Sequence, residues 1–408
     1  MLARAQSRDF QPPAVAARRW RCRTLGATHA LSALLLAGAL CSAGTSHAEP
    51  AQHPVNFSFF YPLSTNRDPM VETHFRLGIL YGRVGAIHGV DLSGVVGRIH
   101  GEMSGFQVTG VATVNGGEFR GASVTGLLNY GGGDARGVQL SGLVNYGRGM
   151  FRGFQYASLF NYAEKDFVGV QLTSMYNLAN ADARYAQIAS IVNIVSGSFR
   201  GLQASGGINY VQEEARGLQA GLFDYAHTIH GAQIALLNVA GTAHAAQLGA
   251  VNVARKNDVF ALGLVSVANN GGADWVSFAS NLAAINTGVR TSLLGFYSMF
   301  TLGVGDVQEE RGDTAFLTWN YGYGFGLWRR WSLDTDLGFV HVMPQPSDDP
   351  AENDRLHYAL QARALGEWRL SERTSVFGGA GLSTVFSEYS TTATTEIDPL
   401  VVLGVSLY

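Results

Sequence analysis

The sequence is poor in charge, proline and cysteine, and each shortage excludes a class of protein. Of its 408 residues only 14% are charged and only 10 are proline, which excludes a disordered or collagen-like chain. Both cysteines, Cys22 and Cys41, precede residue 42, so a disulfide scaffold is excluded as well. After residue 50 there is no run of about 18 apolar residues, which excludes a polytopic helical membrane protein. The chain instead has 51 glycines, and its apolar residues, 47% of the total, are scattered by alternation.

Residues 1–48 have the organisation of a secretory signal peptide. Six arginines precede the apolar run ALSALLLAGAL, which is too short to span a membrane. Ser46 and Ala48 then supply small residues before a cleavage site that follows Ala48. A lipoprotein signal at Cys41 is the weaker interpretation, because leucine stands just before it, where a small residue is needed. We therefore expect Sec-type export and a mature chain that begins at residue 49.

Cleavage changes the charge balance of the chain. The signal peptide takes six of the 28 basic residues and one of the 31 acidic ones, Asp9, which leaves 22 basic against 30 acidic residues. The mature chain is therefore acidic, without a basic patch and without cysteine. Because nucleic-acid binding depends on clustered positive charge, no nucleic-acid partner is expected.

Between residues 100 and 255 the chain repeats with a period of sixteen residues. Strings such as GASVTGLLNY, GVQLSGLVNY and GFQYASLFNY follow one another. Each alternates apolar and polar residues over about twelve positions before about four turn residues, which predicts strands. The polar face of these strands carries amides that we expect to line an interior, namely Gln107, Gln139, Asn145, Gln155, Asn161, Gln171, Asn177, Gln187, Asn193, Gln203 and Asn209.

Two architectures can use such a repeat. In a β-solenoid each repeat is one coil and equivalent residues stack about 4.8 Å apart, which suits ladders of glutamine and asparagine. In a barrel each repeat is one strand and one turn. The arginines favour the barrel slightly, because a solenoid stacks their like charges whereas antiparallel strands place them alternately on two rims. They are Arg120, Arg136, Arg152, Arg184, Arg200 and Arg216.

The C-terminal third favours a transmembrane barrel. In LTWNYGYGFGL and HYALQARALGEW, large apolar residues take one face and small or polar residues take the other. Long connections at 303–313, 344–355 and 387–398 alternate with short basic turns, as in outer-membrane barrels. The region supplies only about six strands, whereas eight is the usual minimum for closure. The repeats are therefore expected to supply the remaining strands.

The resulting prediction is a single antiparallel β-barrel of about 20 strands, with 18 to 22 allowed, over residues 49–408. Its segments are N-terminal strands at 49–99, repeat strands at 100–288 and long-loop strands at 289–408. A strand of about twelve residues tilted by about 45° spans about 28 Å, close to a hydrocarbon core. The alternative is a β-solenoid formed by the repeats at 100–255 and joined to a smaller C-terminal barrel.

Three charged residues are expected on the inner face of the barrel, namely Asp336, Arg363 and Glu367. If Met343 opposes Leu356 in the hairpin that contains them, then Asp336 opposes Arg363. That pair either defines a constriction or neutralises a buried arginine, and the second interpretation is favoured.

The strings FSFFYPLSTN, GFQVTGV, GVQLSGLVNY and FALGLVSVANNGG resemble a bacterial surface-repeat family. Members of that family carry tandem G-x-Q-x-G-x-x-N units between a YPLSTN-like segment and a strand-rich C-terminus. The resemblance covers nearly all of the mature chain. It implies a surface-associated envelope protein, and it implies no activity and no functional residues.

No catalytic, cofactor-binding or metal-binding constellation emerges from the sequence, so an enzyme is not expected. The main prediction is a passive channel for small polar solutes in the outer membrane of a Gram-negative bacterium. The alternative is a non-enzymatic, surface-exposed structural or adhesive repeat protein. Expected partners are outer-membrane lipid and the barrel-assembly machinery, which would recognise the C-terminal strand that ends at Tyr408. An external partner is not indicated.

Overall fold

The computed structural model describes residues 52–305, 314–343, 357–387 and 396–408. Every regular element in these ranges is a strand, and they contain no helix long and apolar enough to cross a membrane. The strands form two bodies, a parallel β-solenoid followed by a closed antiparallel barrel. The predicted signal peptide at 1–48 and most of the predicted long connections lie outside the described residues.

The solenoid has about 13 coils and 24 strands. In chain order the strands are β1 Val55–Phe60, β2 Leu63–Ser64, β3 Glu72–Val84, β4 Ala86–Ser93, β5 Val96–Ile99, β6 Met103–Thr109, β7 Ala112–Asn115, β8 Phe119–Thr125, β9 Leu128–Gly131, β10 Ala135–Ser141, β11 Val144–Gly147, β12 Phe151–Ala157, β13 Phe160–Ala163, β14 Phe167–Thr173, β15 Tyr176–Ala179, β16 Ala183–Ala189, β17 Val192–Val195, β18 Phe199–Ser205, β19 Ile208–Ala220, β20 Phe223–Ile234, β21 Leu237–Leu248, β22 Val251–Asn257, β23 Ala261–Leu262 and β24 Val265–Ala268.

Each sixteen-residue repeat is one coil with two strands and a bend between them. In the repeat that begins at Ala135, strand β10 is followed by a bend at residues 142–143 and by strand β11. Neighbouring coils pair in parallel and in register, so that Gln139 lies beside Gln155 and Asn145 lies beside Asn161. The same residue type therefore stacks upon itself along the solenoid.

The glycine at the first position of the G-x-Q motif has an unusual backbone conformation. In seven of the coils this glycine has a φ between 130° and 149°, a conformation that L side chains rarely adopt. A Cβ atom at Gly137 would lie 1.9 Å from the carbonyl oxygen of Gly121 in the neighbouring coil. Tyr185 occupies the same position in one coil with a φ of 89°, where glycine is replaced at the cost of backbone strain.

The solenoid core is apolar beside the charged edge and polar towards the bend. Large and small side chains fill the apolar part, with Phe151 and Phe167 stacked at 5.5 Å and Ala135 and Ala183 beside them. The glutamines and asparagines fill the polar part, and their burial is nearly complete. A polar interior of this kind is stable only when each amide finds a hydrogen-bonding partner.

The YPLSTN segment closes the first coil of the solenoid. Strand β1 pairs in parallel with β3 on one side and in antiparallel with the short β2 on the other. Thr65 bonds Phe57 twice, since its backbone N–H donates to the Phe57 carbonyl at 2.9 Å and its Oγ1 accepts from the Phe57 N–H at 3.0 Å. The hairpin therefore covers an edge strand that would otherwise be free to pair with another chain.

The closed barrel is formed by the last eight strands of the chain, each antiparallel to its neighbours. They are β25 Gly272–Ser280, β26 Ile285–Leu293, β27 Phe296–Gly305, β28 Thr314–Trp328, β29 Trp331–Met343, β30 His357–Arg369, β31 Thr374–Ser387 and β32 Glu396–Leu407. Strand β32 closes the ring by pairing with β25. The N-terminus of β25, the C-terminus of β32 and the short turns β26–β27, β28–β29 and β30–β31 lie at one end of the barrel.

The last coil of the solenoid packs against the outside of the barrel wall. Ser298 of β27 donates to the carbonyl of Gly263 at 2.6 Å, and the Ser266 N–H donates to Thr291 Oγ1 of β26 at 3.1 Å. Phe260 contacts Phe296 with ring centroids 6.4 Å apart. The wall of the barrel thus covers backbone groups at the C-terminal end of the solenoid.

The prediction of one barrel of about 20 strands is wrong, and the alternative of a solenoid joined to a smaller barrel is confirmed. The count of six C-terminal strands omitted β25 and β26, which complete an eight-stranded barrel without any help from the repeats. The prediction that each repeat forms one strand of about twelve residues is also wrong, because a bend divides that stretch into two strands. The solenoid also extends beyond 100–255 and includes β1 and β24.

The stacked arginines do not prevent a solenoid, because their side chains lie in water. Arg136 and Arg152 do occupy paired positions in neighbouring coils. At a separation of about 4 Å in water, two unit charges interact by only about 1 kcal/mol. Two arginines also have carboxylate partners two residues earlier, since Arg120 bonds Glu118 at 2.9 Å and Arg216 has its own partner at 2.8 Å.

The fourteen-residue repeats need no β-bulge between glutamine and asparagine. Gln233 and Asn238 are five residues apart and would point to opposite faces of one continuous strand, yet both are buried. The bend between them is one residue shorter than in the longer coils, where Gln203 and Asn209 are six residues apart. Asp224 is likewise buried at a position paired with Asn238.

Candidate functional site in the polar interiors

The glutamines of the solenoid form a ladder that runs along its interior. From Gln155 to Gln247, each Nε2 donates to the Oε1 of the glutamine in the preceding coil at 2.8–3.0 Å. An amide is both donor and acceptor, so identical residues in register satisfy one another. Gln107 lies ahead of the ladder, beyond Ser123, and donates to Asp91 at 2.7 Å.

The asparagines form a second ladder of opposite direction. From Asn129 to Asn193, each Nδ2 donates to the Oδ1 of the next asparagine at 2.9–3.0 Å. The same Nδ2 also donates to a backbone carbonyl near the bend, as Asn145 does to Tyr156 at 2.7 Å. The ladder therefore satisfies backbone groups where the chain turns.

Asp224 interrupts the asparagine ladder, which resumes where Asn238 donates to Asn252 at 2.8 Å. Asp224 accepts from Asn209 at 2.8 Å, but a carboxylate has no proton to pass on to Asn238. Asp224 Oδ2 and Asn238 Oδ1 are both buried without a hydrogen-bond partner, and the two residues are paired in neighbouring coils. Burial raises the pKa of Asp224 from its ordinary value of 3.8 to about 6. If Asp224 Oδ2 carried a proton, it would donate a hydrogen bond to Asn238 Oδ1.

The barrel also has a polar interior and an apolar outer wall. Along β30, Leu360 and Trp368 face outwards, whereas Gln361, Arg363 and Glu367 are buried inside. Strand β28 follows the same alternation, as its sequence predicted. Because successive side chains of a strand point to opposite faces, this alternation assigns every barrel residue to the wall or to the interior.

One layer of the barrel interior is built around Arg290. Its guanidinium donates to Glu367 at 2.8 and 3.0 Å, to Asp274 at 3.2 Å and to Asp334 at 3.3 Å. Tyr408 donates to Glu367 at 2.6 Å, and Ser375 donates to the same carboxylate. Four strands are thus joined across the barrel by one buried arginine.

A second layer contains the predicted pair of Asp336 and Arg363. The two residues oppose each other in the β29–β30 register, and their side chains bond at 2.8 and 2.9 Å. Tyr297 donates to the same carboxylate at 2.7 Å, and Asn320 does so at 3.0 Å. The predicted register is confirmed, and the carboxylate neutralises a buried arginine.

Among the described residues, an open vestibule lies at the short-turn end of the barrel, beside the Arg290 layer. A cavity of about 430 Å³ lies at the short-turn end, between Arg290 and rim residues such as Trp328 and Arg330. Beyond the Arg363 layer the space falls to about 20 Å³, beside Phe316 and Val340. The side chains that the structure describes therefore fill the middle of the barrel, as is usual for eight strands.

The residues predicted to line an interior thus lie in two separate places. The eleven amides from Gln107 to Asn209 are inside the solenoid, whereas Asp336, Arg363 and Glu367 are inside the barrel. Sequence reasoning missed Asp274, because its strand lies in the segment assigned to the repeats, and Arg290, because the segment boundary after residue 288 divides its strand. The signal that could have found them is alternation in INTGVRTSL, where Arg290 shares a face with Asn286 and Ser292.

Among the described residues, no group of three or more His, Cys, Asp or Glu side chains is arranged to hold a metal ion. The resemblance to a bacterial surface-repeat family stays a prediction that its sequence motifs alone support. No protein-family model matches the chain, and no curated protein and no solved structure matches it significantly.

Proposed function

We propose that this is a non-enzymatic structural or surface repeat protein of a bacterial outer membrane, anchored there by its C-terminal barrel. The observation that carries the proposal is the eight-stranded barrel, which has an apolar wall and an interior filled by hydrogen-bonded ion pairs. Outer-membrane barrels begin at eight strands, and their outward residues form an apolar band. Leu337 and Leu403, which are 71% and 70% exposed, belong to that band.

The filled interior favours an anchor over a passive channel. A solute that crossed the barrel would have to displace the layers of Arg290 and Arg363, whose charges are paired and buried. Breaking such pairs costs several kcal/mol for each uncompensated charge. The solenoid interior is equally closed, because its amides bond one another from coil to coil.

Export and assembly complete the proposal. A signal peptide cleaved after Ala48 would deliver the chain across the inner membrane. Strand β32, followed by Tyr408, would present the C-terminal signal to the barrel-assembly machinery. N-terminal sequencing of the protein from outer-membrane fractions tests this directly, with Glu49 as the expected first residue.

The experiment that tests the anchor compares two matched variants. Leu337→Arg places a charge on the barrel wall, where lipid makes it cost about 2–4 kcal/mol near the bilayer centre. Leu370→Arg places the same charge in a short turn outside the wall. We expect the first to reduce the protein recovered in urea-washed outer membranes and the second to leave it unchanged. Equal recovery of both variants, or release of the native protein by urea, contradicts the anchor.

Electrical recording separates the anchor from the channel. The purified native protein, reconstituted in planar bilayers, is expected to give no conductance steps. Stable steps from protein whose heat-modifiable mobility shows a folded barrel would overturn the structural proposal in favour of a channel.

A further inference from the structure

The outer surface of the solenoid is apolar over an unusual area. Five outward positions of each coil hold apolar residues almost throughout, and in the coil at Ala135 they are Val138, Leu140, Leu143, Val144 and Tyr146. From residue 103 to residue 267, no charged residue occurs in these five rows. The exposed fraction of the bend residue is 38% at Leu143 and reaches 63% in a later coil.

The size of this surface exceeds what a soluble monomer tolerates. The eleven coils between residues 103 and 267, stacked about 4.8 Å apart, are about 50 Å long, and the five rows are about 25 Å wide around the bend. The resulting area is on the order of 1,300 Å², whereas exposed apolar patches on monomers are usually a few hundred Å². The surface therefore requires an apolar partner.

Backbone hydrogen bonding makes the surface compatible with lipid. In a bilayer every backbone polar group must be satisfied within the protein. At the bend, the N–H groups of Leu143 and Val144 both donate to the carbonyl of Leu127, at 3.1 and 2.9 Å. Leu159 and Phe160 repeat the arrangement on the carbonyl of Leu143, at 3.0 Å each. The asparagine ladder satisfies further carbonyls beside the bend.

From residue 103 to residue 267, the exposed charges of the solenoid lie on the opposite edge. Arg120, Arg136 and Arg152 are exposed there, together with carboxylates such as Glu118 and Asp134. The coil is therefore polar inside, charged along one edge and apolar around the other. From Val138 to the bend the strand covers about 16 Å, which is about half of a hydrocarbon core of about 30 Å. One leaflet can accommodate that depth.

The barrel determines which membrane surface is adjacent. The last coil bonds the outer wall through Thr291 and Ser298, which lie within a few residues of the β26–β27 turn. The coils stack along their hydrogen-bonding direction, so the solenoid axis leaves the wall sideways, along the plane of the membrane. In outer-membrane barrels the short turns are periplasmic.

We propose that the solenoid lies along the periplasmic leaflet of the outer membrane, with its five apolar rows in the lipid and its arginine edge towards water. The inference rests on the proposed anchor, since the barrel brings the solenoid to the bilayer. The proposal also places the repeats on the periplasmic side of the outer membrane and not outside the cell. The apolar rows then continue the apolar wall of the barrel.

The test uses the full chain, with Cys22 and Cys41 replaced by serine, in vesicles of phosphatidylethanolamine and phosphatidylglycerol. A single environment-sensitive fluorophore is attached through Leu143→Cys on the bend, Arg136→Cys on the charged edge or Leu403→Cys on the barrel wall. Quenching by nitroxide lipid is compared with quenching by aqueous iodide. Circular dichroism and the heat-modifiable mobility of each variant confirm its fold.

We expect nitroxide lipid to quench the Leu143→Cys and Leu403→Cys labels several-fold more strongly than iodide does, and the reverse for Arg136→Cys. A Leu403→Cys label in lipid with a Leu143→Cys label in water overturns the inference and leaves the anchor intact. If the Leu143→Cys label is shielded from both quenchers until the protein is diluted in lipid, the partner of the apolar rows is a second copy of the chain. That result also overturns the inference. A Leu403→Cys label in water overturns the anchor itself.

Discussion

The solenoid and the barrel both have a polar interior, but they build it from different side chains. Both enclose polar residues and turn apolar residues outwards, but the repeated coils of the solenoid hold amides and the barrel interior holds ion pairs. The first coils of the solenoid differ from the later ones, because they bury an ion pair between Arg76 and Asp91 at 2.6 Å. In the solenoid Gln155 lies beside Gln171, whereas in the barrel Asp336 lies beside Arg363. Strand direction explains the difference.

Parallel in-register coils bring each residue against its own kind. Where the same residue repeats from coil to coil, only a self-complementary side chain can be buried, and an amide, which both donates and accepts, meets that condition. Where the residue type changes, as from Arg76 to Asp91, the parallel coils bury a salt bridge instead. Antiparallel strands bring different residues together, so complementary charges such as Arg290 and Glu367 can be buried as pairs. Arginines do stack in the solenoid, as Arg136 and Arg152 do on its exposed edge.

The largest effect is expected from removing the central arginine of the barrel. Arg290→Leu leaves Asp274, Asp334 and Glu367 buried without their cation, which costs about 3–5 kcal/mol of stability. Urea unfolding followed by the heat-modifiable mobility of the barrel measures it. Arg369→Leu, at the exposed end of β30, is the control and should change little. A loss below about 1 kcal/mol for Arg290→Leu contradicts the role given to the ion pairs.

The second-largest effect is expected at Asp224, the carboxylate in the column of asparagines. Asp224 has a raised pKa of about 6, so its neutral form is favoured on folding. Its contribution to stability is present below its ordinary pKa of 3.8 and is lost as the pH rises through about 6. At neutral pH the loss is about 3 kcal/mol, since one pKa unit corresponds to about 1.4 kcal/mol.

Asp224→Asn restores an amide to the ladder and supplies a donor for Asn238 Oδ1. The variant should match the native protein near pH 4 and exceed its stability by about 3 kcal/mol at pH 7. Urea unfolding at a series of pH values measures the difference. Asp134→Asn, on the exposed edge, is the control. A constant difference across this pH range refutes the burial of a titrating carboxylate.

A smaller effect is expected from the strained position in the G-x-Q column. Tyr185→Gly should raise the unfolding free energy by about 1 kcal/mol, because glycine adopts its φ without strain. Tyr176→Gly, in the ordinary strand β15, should instead lower the unfolding free energy by about 0.5–1 kcal/mol. Thermal unfolding of both variants measures the contrast. The same sign for both would show that φ at this position does not matter.

The smallest effect is expected on the arginine edge. Arg152→Ala removes one exposed charge from beside Arg136 and should change stability by no more than about 0.5 kcal/mol. Urea unfolding in low and high salt measures it. A rise of more than about 1 kcal/mol in the unfolding free energy in low salt would mean that repulsion between stacked arginines opposes the solenoid.

Alternation predicted the barrel wall and the interior residues Asp336, Arg363 and Glu367, and an assumed hairpin alignment of Met343 with Leu356 predicted the register of Asp336. Those predictions succeeded because a strand has a fixed period of two and one face meets a different solvent. The amides of the repeat were predicted as an interior for the same reason. Alternation does not report strand direction, so it could not distinguish a solenoid from a larger barrel.

The bend within each repeat is the feature that alternation does not reveal. Gly142 lies within an alternating run, where glycine fits both a strand and a bend. Its Cβ would lie 1.9 Å from the carbonyl oxygen of Gly126, a contact that exists only once the coils are stacked. The contacts of Arg290 were missed for a related reason, because its partners Asp334 and Glu367 come from strands far from it in the sequence. Contacts between distant segments are not encoded in a local period.

The central claim is that successive repeats stack in parallel and in register. The most direct test is disulfide formation between Arg136→Cys and Arg152→Cys, in a chain whose Cys22 and Cys41 are replaced by serine. In the solenoid the two Cα atoms are about 4.8 Å apart, within the usual range for a disulfide of about 4.4–6.8 Å. Mild oxidation should therefore cross-link the pair almost completely in the folded protein. Antiparallel barrel strands would hold the two residues on opposite rims, so failure of the pair to cross-link would contradict the solenoid.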